Sequence, residues 1–169
     1  QMCIRDSLKS DKWSDGHEIA DHIIELSDAR INESISLADK DAAAFDAVMA
    51  AYRLPKIDDG SSVRLETIRD ATIGAALAPL ETVQAALLLL NQLLELSRVC
   101  NANALTDLAA SAELAHSAAM IAKMNVRINT HYITGDDVDS IDSETKYCIE
   151  ECEKTMHDLR ITYTERLGW

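Results

Sequence analysis

Residues Ala85–Leu96 read AALLLLNQLLEL, and this stretch decides the fold. Its leucines make a helix here apolar almost all the way round, which is typical of a helix at the centre of a bundle. Asn91, Gln92 and Glu95 interrupt the run, so it is too short and too polar to predict a membrane span. The stretch therefore predicts a soluble helical domain built around one apolar helix.

Helical periodicity continues on both sides of this stretch. The predicted helices cover residues 15–53, 63–99, 105–128 and 143–167. Turn-forming residues predict a loop at 56–62 and an acidic turn at 135–139. Pro79 predicts a kink or break of structural rather than catalytic importance. The low content of glycine (5 residues), proline (2 residues) and aromatic residues (4%) argues against a β-sandwich or barrel. We predict an all-α bundle of four to five long helices, dimeric because its apolar surface exceeds what one bundle hides.

The ends of the predicted helices carry capping residues. Ser14 or Asp15, with Glu18 as its partner, is expected to cap the first helix. The small side chains of the third helix predict close approach to a neighbour. The basic residues between positions 154 and 166 are interpreted as part of a solvated face.

The charge balance excludes two classes of partner. The chain has 29 acidic and 16 basic residues, a formal net charge of −13. A phosphate backbone or an anionic membrane needs a basic face, so we expect neither nucleic acid nor membrane as a partner.

Cysteine and histidine spacing predicts no metal site. Cys148 and Cys152 are four residues apart with His157 nearby, but no second ligand pair accompanies them. Four cysteines without a C-x-x-C pair suit a reduced, cytoplasmic protein. His116, among alanines, is interpreted as a hydrogen-bonded core or interface residue.

The first seven residues share no pattern with the rest of the chain. They resemble a translated leader found on unrelated sequence fragments, so we interpret residues 1–7 as a sequencing artefact. Residues 8–169 are then a single, N-terminally truncated domain.

Three polar clusters interrupt the apolar helices. The first runs from Lys40 and Asp41 to Leu54-Pro55-Lys56, where the helix ends. Its purely structural interpretation is a solvated helix face. The second contains Asn101, Asn103, Thr106 and Asp107. It is interpreted as a helix start capped by Thr106 or Asn103, as a ligand site with Asp107 as acid or base, or as both.

The third cluster is Asn125-Val-Arg127-Ile-Asn129. Its two asparagines lie at i, i+4 and share one helix face. Amides on a face otherwise built of Ala, Met and Ile need partners, which either a neighbouring helix or a ligand can supply.

These clusters also carry a resemblance. The run from Asp41 through Phe45 to Pro55-Lys56 resembles the signature of the cyclodeaminase/cyclohydrolase family, which includes the C-terminal domain of formimidoyltransferase-cyclodeaminase and methenyltetrahydrofolate cyclohydrolases. The second and third clusters resemble its two later motifs, in the same order. The Pro-rich, triple-glycine opening typical of the family is missing, and its place would be upstream of Leu8.

The resemblance implies a homodimeric enzyme of folate one-carbon metabolism. It would act on a formimino or methenyl derivative of tetrahydrofolate as cyclodeaminase or cyclohydrolase, without a tightly bound cofactor or metal. An acidic side chain would stabilise an amidinium-like cation and move a proton. The residues assigned by this mapping are Asp107 and Asp41 as catalytic carboxylates, Asn101, Asn103 and Thr106 near the pterin or one-carbon unit, Asn125 and Asn129 as further substrate-binding amides, and Lys56 and Arg127 at the glutamate end.

A second class of function stays open at this point. A helical dimerisation or scaffold protein, or an inactive truncated relative of the family, would show the same helices. Turnover of reduced folates by this chain and by an extended one would separate the two classes.

Overall fold

The computed structural model describes residues 9–56 and 61–168. The segment interpreted as an artefact and most of loop 56–62 therefore lie outside the described residues. The described ranges contain no strand, and the all-α prediction is confirmed. The four long helices are α1 (His17–Tyr52), α2 (Ser61–Val99), α3 (Leu105–Thr130) and α4 (Asp136–Leu167), and short 3-10 helices cover Asp11–Gly16 and Ala102–Ala104.

The start of α1 differs from the prediction. Asp15 lies inside the 3-10 helix, and α1 follows Gly16 without a side-chain cap. The end agrees closely, because Pro55 disfavours helix in the residue before it. Arg64 ties this end to α2 by donating hydrogen bonds to the carbonyls of Tyr52 (2.9 Å) and Leu54 (3.0 Å).

The central helix of the bundle is α2, as the leucine run predicts. It packs against α1, α3 and α4, and Leu90 and Leu96 are fully buried. By length and composition alone, residues Val63–Val99 are apolar enough to cross a membrane. Their packing against three other helices is that of a bundle core, where burial of each large aliphatic side chain contributes about 1.5–3 kcal/mol.

Consecutive helices run antiparallel in an up-and-down bundle. The pair α2 and α3 approaches closely along the buried alanines of α3, Ala112, Ala115, Ala119 and Ala122. In contrast, α1 packs almost entirely on α2. This uneven packing leaves an open groove between α1 and α3, and the floor of that groove is α2.

The chain between α3 and α4 corrects one prediction. Residues 135–139 are not a turn, because α4 begins at Asp136, seven residues before the predicted start. Gly135 precedes it with φ 144°, a backbone conformation that favours glycine. Asp136, Asp137 and Asp139 then lie in the first turn, where carboxylates complement the helix dipole. Arg69 pairs with Asp137 at 2.6 Å and holds the pKa of that carboxyl below its usual value.

Two of the basic residues near the C-terminus bind other helices, contrary to the solvated-face interpretation, whereas Lys154 is exposed and pairs within α4, as that interpretation predicts. Arg166 donates hydrogen bonds to the carbonyls of Ser97 (2.5 Å) and Cys100 (2.7 Å), which closes the C-terminal end of α2. Arg160 pairs with Glu113 of α3 at 2.6 Å. These contacts fix the register of α4 against α2 and α3.

Candidate functional site

The groove between α1 and α3 brings two of the sequence-predicted residues together. It has a volume of about 350 Å³. Ser34, Leu37, Ala38 and Asp41 of α1, Pro79 and Thr82 of α2, and Ala118, Ile121, Ala122 and Asn125 of α3 line it. Most of these side chains are apolar. Such a cleft with a few polar groups is the usual form of a small-molecule site.

Asp41 and Asn125 supply one carboxylate and one amide to this groove. They come from the first and third sequence clusters, 84 residues apart in the chain, and both side chains are exposed to solvent. Beside the groove, Lys40 pairs with Glu81 at 2.5 Å and links α1 to α2. Asp41 can therefore face a ligand while its neighbour holds the wall of the groove in place.

Asn129 does not line the groove but links two of the helices that form it, α3 and α2. Its Nδ2 donates hydrogen bonds to the carbonyl of Ala75 on α2 (2.8 Å) and to that of Asn125 (2.9 Å). In a regular helix the carbonyl of Ala75 would accept from the N–H of residue 79, but Pro79 has none. Asn129 replaces that missing donor, and α2 runs through Pro79 without a break. Both amide hydrogens are engaged, so Asn129 can offer a ligand only its Oδ1.

The second cluster lies at the other end of α3. Asn101 caps the short 3-10 helix, its Oδ1 accepting a hydrogen bond of 3.0 Å from the N–H of Asn103. The prediction that Thr106 or Asn103 caps α3 is wrong, because Ala104 precedes the helix and no side chain caps it. Asp107 lies in the first turn, eighteen residues before Asn125. At the rise of an α-helix this is about five turns, or ~27 Å, so Asp107 lies far outside the α1–α3 groove of its own chain.

The two cations proposed for the glutamate end of folate are also separated. Arg127 lines a second groove of about 440 Å³ between α3 and α4, together with Lys123, Lys146 and three acidic residues. Lys56 follows the end of α1, at the same end of the bundle as Asn125, and is exposed. The structure thus distributes the predicted site residues over four places.

Sequence reasoning missed two polar side chains of the first groove, Ser34 and Thr82. Neither belongs to a motif, and each resembles a common surface residue. Their one signal is position: Ser34 lies two turns before Asp41, and Thr82 lies nearly one turn after Pro79. Only the packing of α1 on α2 shows that these residues share a wall.

The described residues contain no group of three or more His, Cys, Asp or Glu side chains placed to bind a metal ion. Cys148 and Cys152 are buried in the core. Burial raises the pKa of the Cys152 thiol to about 11, so this thiol stays protonated at neutral pH. The ring nitrogen Nε2 of His116 is buried and has no hydrogen-bond partner, in contrast to the prediction.

The fold and groove define a class: an up-and-down bundle of long helices with an open cleft beside its central helix. The family model for formiminotransferase-cyclodeaminase matches residues 1–146, and the chain belongs to this family. Its fold is similar to that of the crystal structure of formiminotetrahydrofolate cyclodeaminase from Thermotoga maritima. The TM-score is 0.78 at 23% sequence identity, and the match covers 99% of this chain and 78% of that chain. No curated protein matches this sequence.

Proposed function

We propose that this chain processes a one-carbon derivative of tetrahydrofolate in the groove between α1 and α3. Membership of the formiminotransferase-cyclodeaminase family supports a folate as the substrate. The observation that carries the proposal is that Asp41 and Asn125 line the same largely apolar groove. A carboxylate in such surroundings suits a cationic one-carbon centre, and an amide suits the polar edge of a pterin.

The reaction best supported is cyclodeamination, which both the family description and the name of the structural relative contain. The protonated formimino group on N5 is an amidinium-like cation. N10 attacks its carbon, so a carbon–N10 bond forms. The N10 proton passes to the departing nitrogen, the carbon–nitrogen bond breaks, and ammonia leaves 5,10-methenyltetrahydrofolate.

Asp41 has two tasks in this scheme. Its negative charge stabilises the cation more strongly beside apolar walls than in bulk water. It also carries the proton from N10 to the leaving nitrogen. Cyclohydrolysis of the methenyl group is the second candidate, because the same carboxylate next to the same cation can activate water instead.

The remaining assignments follow from position. Lys56, at the end of α1, is the better candidate for the anionic glutamate part of the substrate, since Arg127 faces the other groove. No cofactor takes part in either scheme. We further propose a cytoplasmic enzyme that acts as a homodimer.

The test is turnover of 5-formiminotetrahydrofolate and of 5,10-methenyltetrahydrofolate by Asp41→Asn. Loss of a group that stabilises charge and moves a proton typically lowers the rate a hundredfold or more. Asp39→Asn is the matched control, because Asp39 is an exposed carboxylate on α1 outside the lining of the groove. Equal rates for both variants would refute the role of Asp41, and failure of the parent chain to bind either folate would refute the function.

A further inference from the structure

The hydroxyl group of Thr82 differs from those of other threonines in the interior of the helices. Thr67 and Thr72 of α2 and Thr145 and Thr162 of α4 each donate a hydrogen bond of 2.7–2.9 Å to the carbonyl four residues earlier. This bond to the preceding turn is a common way for a helical threonine to satisfy its hydroxyl. Within the described ranges no hydrogen bond engages the hydroxyl of Thr82.

The place of Thr82 is the floor of the groove between α1 and α3. It is half-buried, whereas Asp41 and Asn125 on the two walls are exposed. The other hydroxyl of the groove is already occupied, because Ser34 donates a hydrogen bond of 2.7 Å to the carbonyl of Ile31. A ligand that fills the groove would remove Thr82 from water, so the hydroxyl would then need a partner on that ligand.

The ion pair between Lys40 and Glu81 sets the level of Thr82 relative to Asp41. The paired atoms are 2.5 Å apart, and Asp41 and Thr82 are the next residues along α1 and α2. Each residue advances a helix by only ~1.5 Å, so the two groove residues lie within about 3 Å of the same level along the helix axes. The carboxylate and the hydroxyl can therefore reach the same part of a ligand.

The hydrogen bond from Asn129 to the carbonyl of Ala75 sets the level of α3 in the same way. Thr82 lies seven residues after Ala75, and Asn125 lies four residues before Asn129. Since α2 and α3 run antiparallel, the two differ by three residues, or ~4.5 Å along the axis. Asp41, Thr82 and Asn125 thus face one groove of about 350 Å³ from three different helices.

A hydroxyl at this point adds a neutral hydrogen-bond acceptor beside the carboxylate. The protonated formimino nitrogen of 5-formiminotetrahydrofolate carries two N–H donors. Asp41 can accept one of them, and the hydroxyl oxygen of Thr82 can accept the other. The hydroxyl hydrogen can then turn to the carbonyl of Ala78, as in the four other threonines. The methenyl carbon of 5,10-methenyltetrahydrofolate carries only a C–H group and offers no such donor.

We propose that Thr82 sets the preference of the groove for a formimino over a methenyl folate, through a hydrogen bond from the formimino N–H to its hydroxyl oxygen. This inference rests on the proposed function, which by itself assigns both reactions to the same carboxylate. Thr82 forms no covalent bond in either reaction, but holds the nitrogen that leaves as ammonia beside Asp41. A site that pairs with a substrate N–H discriminates against an analogue without it, because the polar group of the site is then left unpaired.

The test is Thr82→Val, which keeps the shape of the side chain and replaces the hydroxyl by a methyl group. Loss of a hydrogen bond to a charged group should lower kcat/KM for 5-formiminotetrahydrofolate about 10–100-fold. Because the bond is already present in the bound substrate, most of this loss should appear in KM rather than in kcat. The dissociation constant of 5,10-methenyltetrahydrofolate should stay the same, because this folate makes no bond to the hydroxyl.

Three further variants separate selectivity from stability. Thr82→Ser keeps a hydroxyl and should retain most of the preference for the formimino folate. Thr82→Ala removes the hydroxyl without adding a methyl group and should shift the preference in the same direction as Thr82→Val. Thr72→Val is the matched control, because Thr72 is a half-buried threonine of the same helix, bonded to the carbonyl of Ile68 and outside the lining of the groove.

The decisive quantity is the ratio of the constants for the two folates in one preparation, since this ratio does not depend on the folded fraction. An unchanged ratio in Thr82→Val and Thr82→Ala, or an equal shift in Thr72→Val, would overturn the role of Thr82 and leave the proposed function intact. A parent chain that binds the methenyl folate but not the formimino folate would overturn this role as well. A parent chain that binds neither folate would refute the proposed function itself, and this inference with it.

Discussion

Asn129 donates a hydrogen bond of 2.8 Å to the carbonyl oxygen of Ala75, which Pro79 leaves without its helical partner. A proline inside a helix usually costs roughly 3 kcal/mol, partly because it orphans this carbonyl. Here a side chain from α3 supplies the donor, so α2 passes through Pro79 and the two helices are fixed at the floor of the groove. The asparagine and the proline, fifty residues apart, therefore act as one structural unit.

The Asn129–Ala75 bond predicts the stability of one variant directly. Asn129→Ala should lower the free energy of unfolding by about 1–3 kcal/mol, because the buried side of the Ala75 carbonyl loses its partner. Urea denaturation measures the change. Asn125→Ala, one turn away and exposed, is the matched control and should change stability by less than about 0.5 kcal/mol.

Because Asn129 supplies the donor that Pro79 lacks, the effects of Asn129→Ala and Pro79→Ala on the free energy of unfolding should not be additive. In a Pro79→Ala background the new N–H of residue 79 can bond to the Ala75 carbonyl, so Asn129→Ala should cost clearly less than in the parent chain, with a coupling of about 0.5–3 kcal/mol. A double-mutant cycle gives this coupling from four unfolding curves. Equal costs in the two backgrounds would show that Asn129 does not replace the missing donor.

Gly135 is predicted to resist substitution. Its φ is 144°, and an added Cβ would lie 2.7 Å from Nη2 of Arg69 and 2.9 Å from Oδ1 of Asp137. Gly135→Ala should therefore destabilise the protein by about 1–3 kcal/mol through backbone strain and a displaced ion pair. Gly74→Ala, in the interior of α2 with nothing within 4 Å of the new Cβ, should instead stabilise it by about 0.5–1 kcal/mol. Thermal melts that shift in the same direction for both variants would contradict this pair of predictions.

Acid sensitivity is expected at the α3–α4 contact. Hydrogen bonding from Arg160 lowers the pKa of Glu113 from its usual value of 4.5. A carboxyl whose pKa is lower in the folded state stabilises the fold above its unfolded pKa, and this stabilisation is lost as the pH falls through the folded pKa. Glu113→Gln should thus destabilise the protein at pH 7 and have little further effect well below pH 4.5. A constant difference in stability across this range would be incompatible with the ion pair.

We expect Asp107 to be catalytic rather than a structural cap, as the family resemblance implies. Because it lies ~27 Å from Asn125 within one chain, it would act in the groove of the partner copy of the proposed homodimer. Asp107→Asn keeps the size of the side chain but cannot ionise, so it should leave the helical circular dichroism unchanged and lower folate turnover a hundredfold or more. Asp139→Asn is the matched control, because Asp139 is an exposed carboxylate in the first turn of another helix, α4, and lines neither groove. Near-full turnover by Asp107→Asn would leave Asp41 as the sole carboxylate candidate.

The sequence by itself determined the helices of this protein, because the signals for them are local. The leucines around Leu90 mark the central helix, Pro55 ends the first, and the period of apolar residues sets the rest. The prediction was wrong where a distant partner decides the boundary. α4 starts at Asp136 rather than near residue 143, because Arg69 from α2 pairs with Asp137 and Gly135 permits the turn before it.

The tertiary structure alone decided which polar residues meet. The motifs containing Asp41 and Asn125 predicted candidate residues, but only the packing of α1 on α2 places both in one groove. The packing of α3 on α2 likewise gave Asn129 its partner, the carbonyl of Ala75. The sequence alone does not indicate which carbonyl a side-chain amide will reach. The ~27 Å between Asp107 and Asn125 follows from the rise of one continuous helix. The meeting of Asp41 and Asn125 depends instead on how separate helices pack.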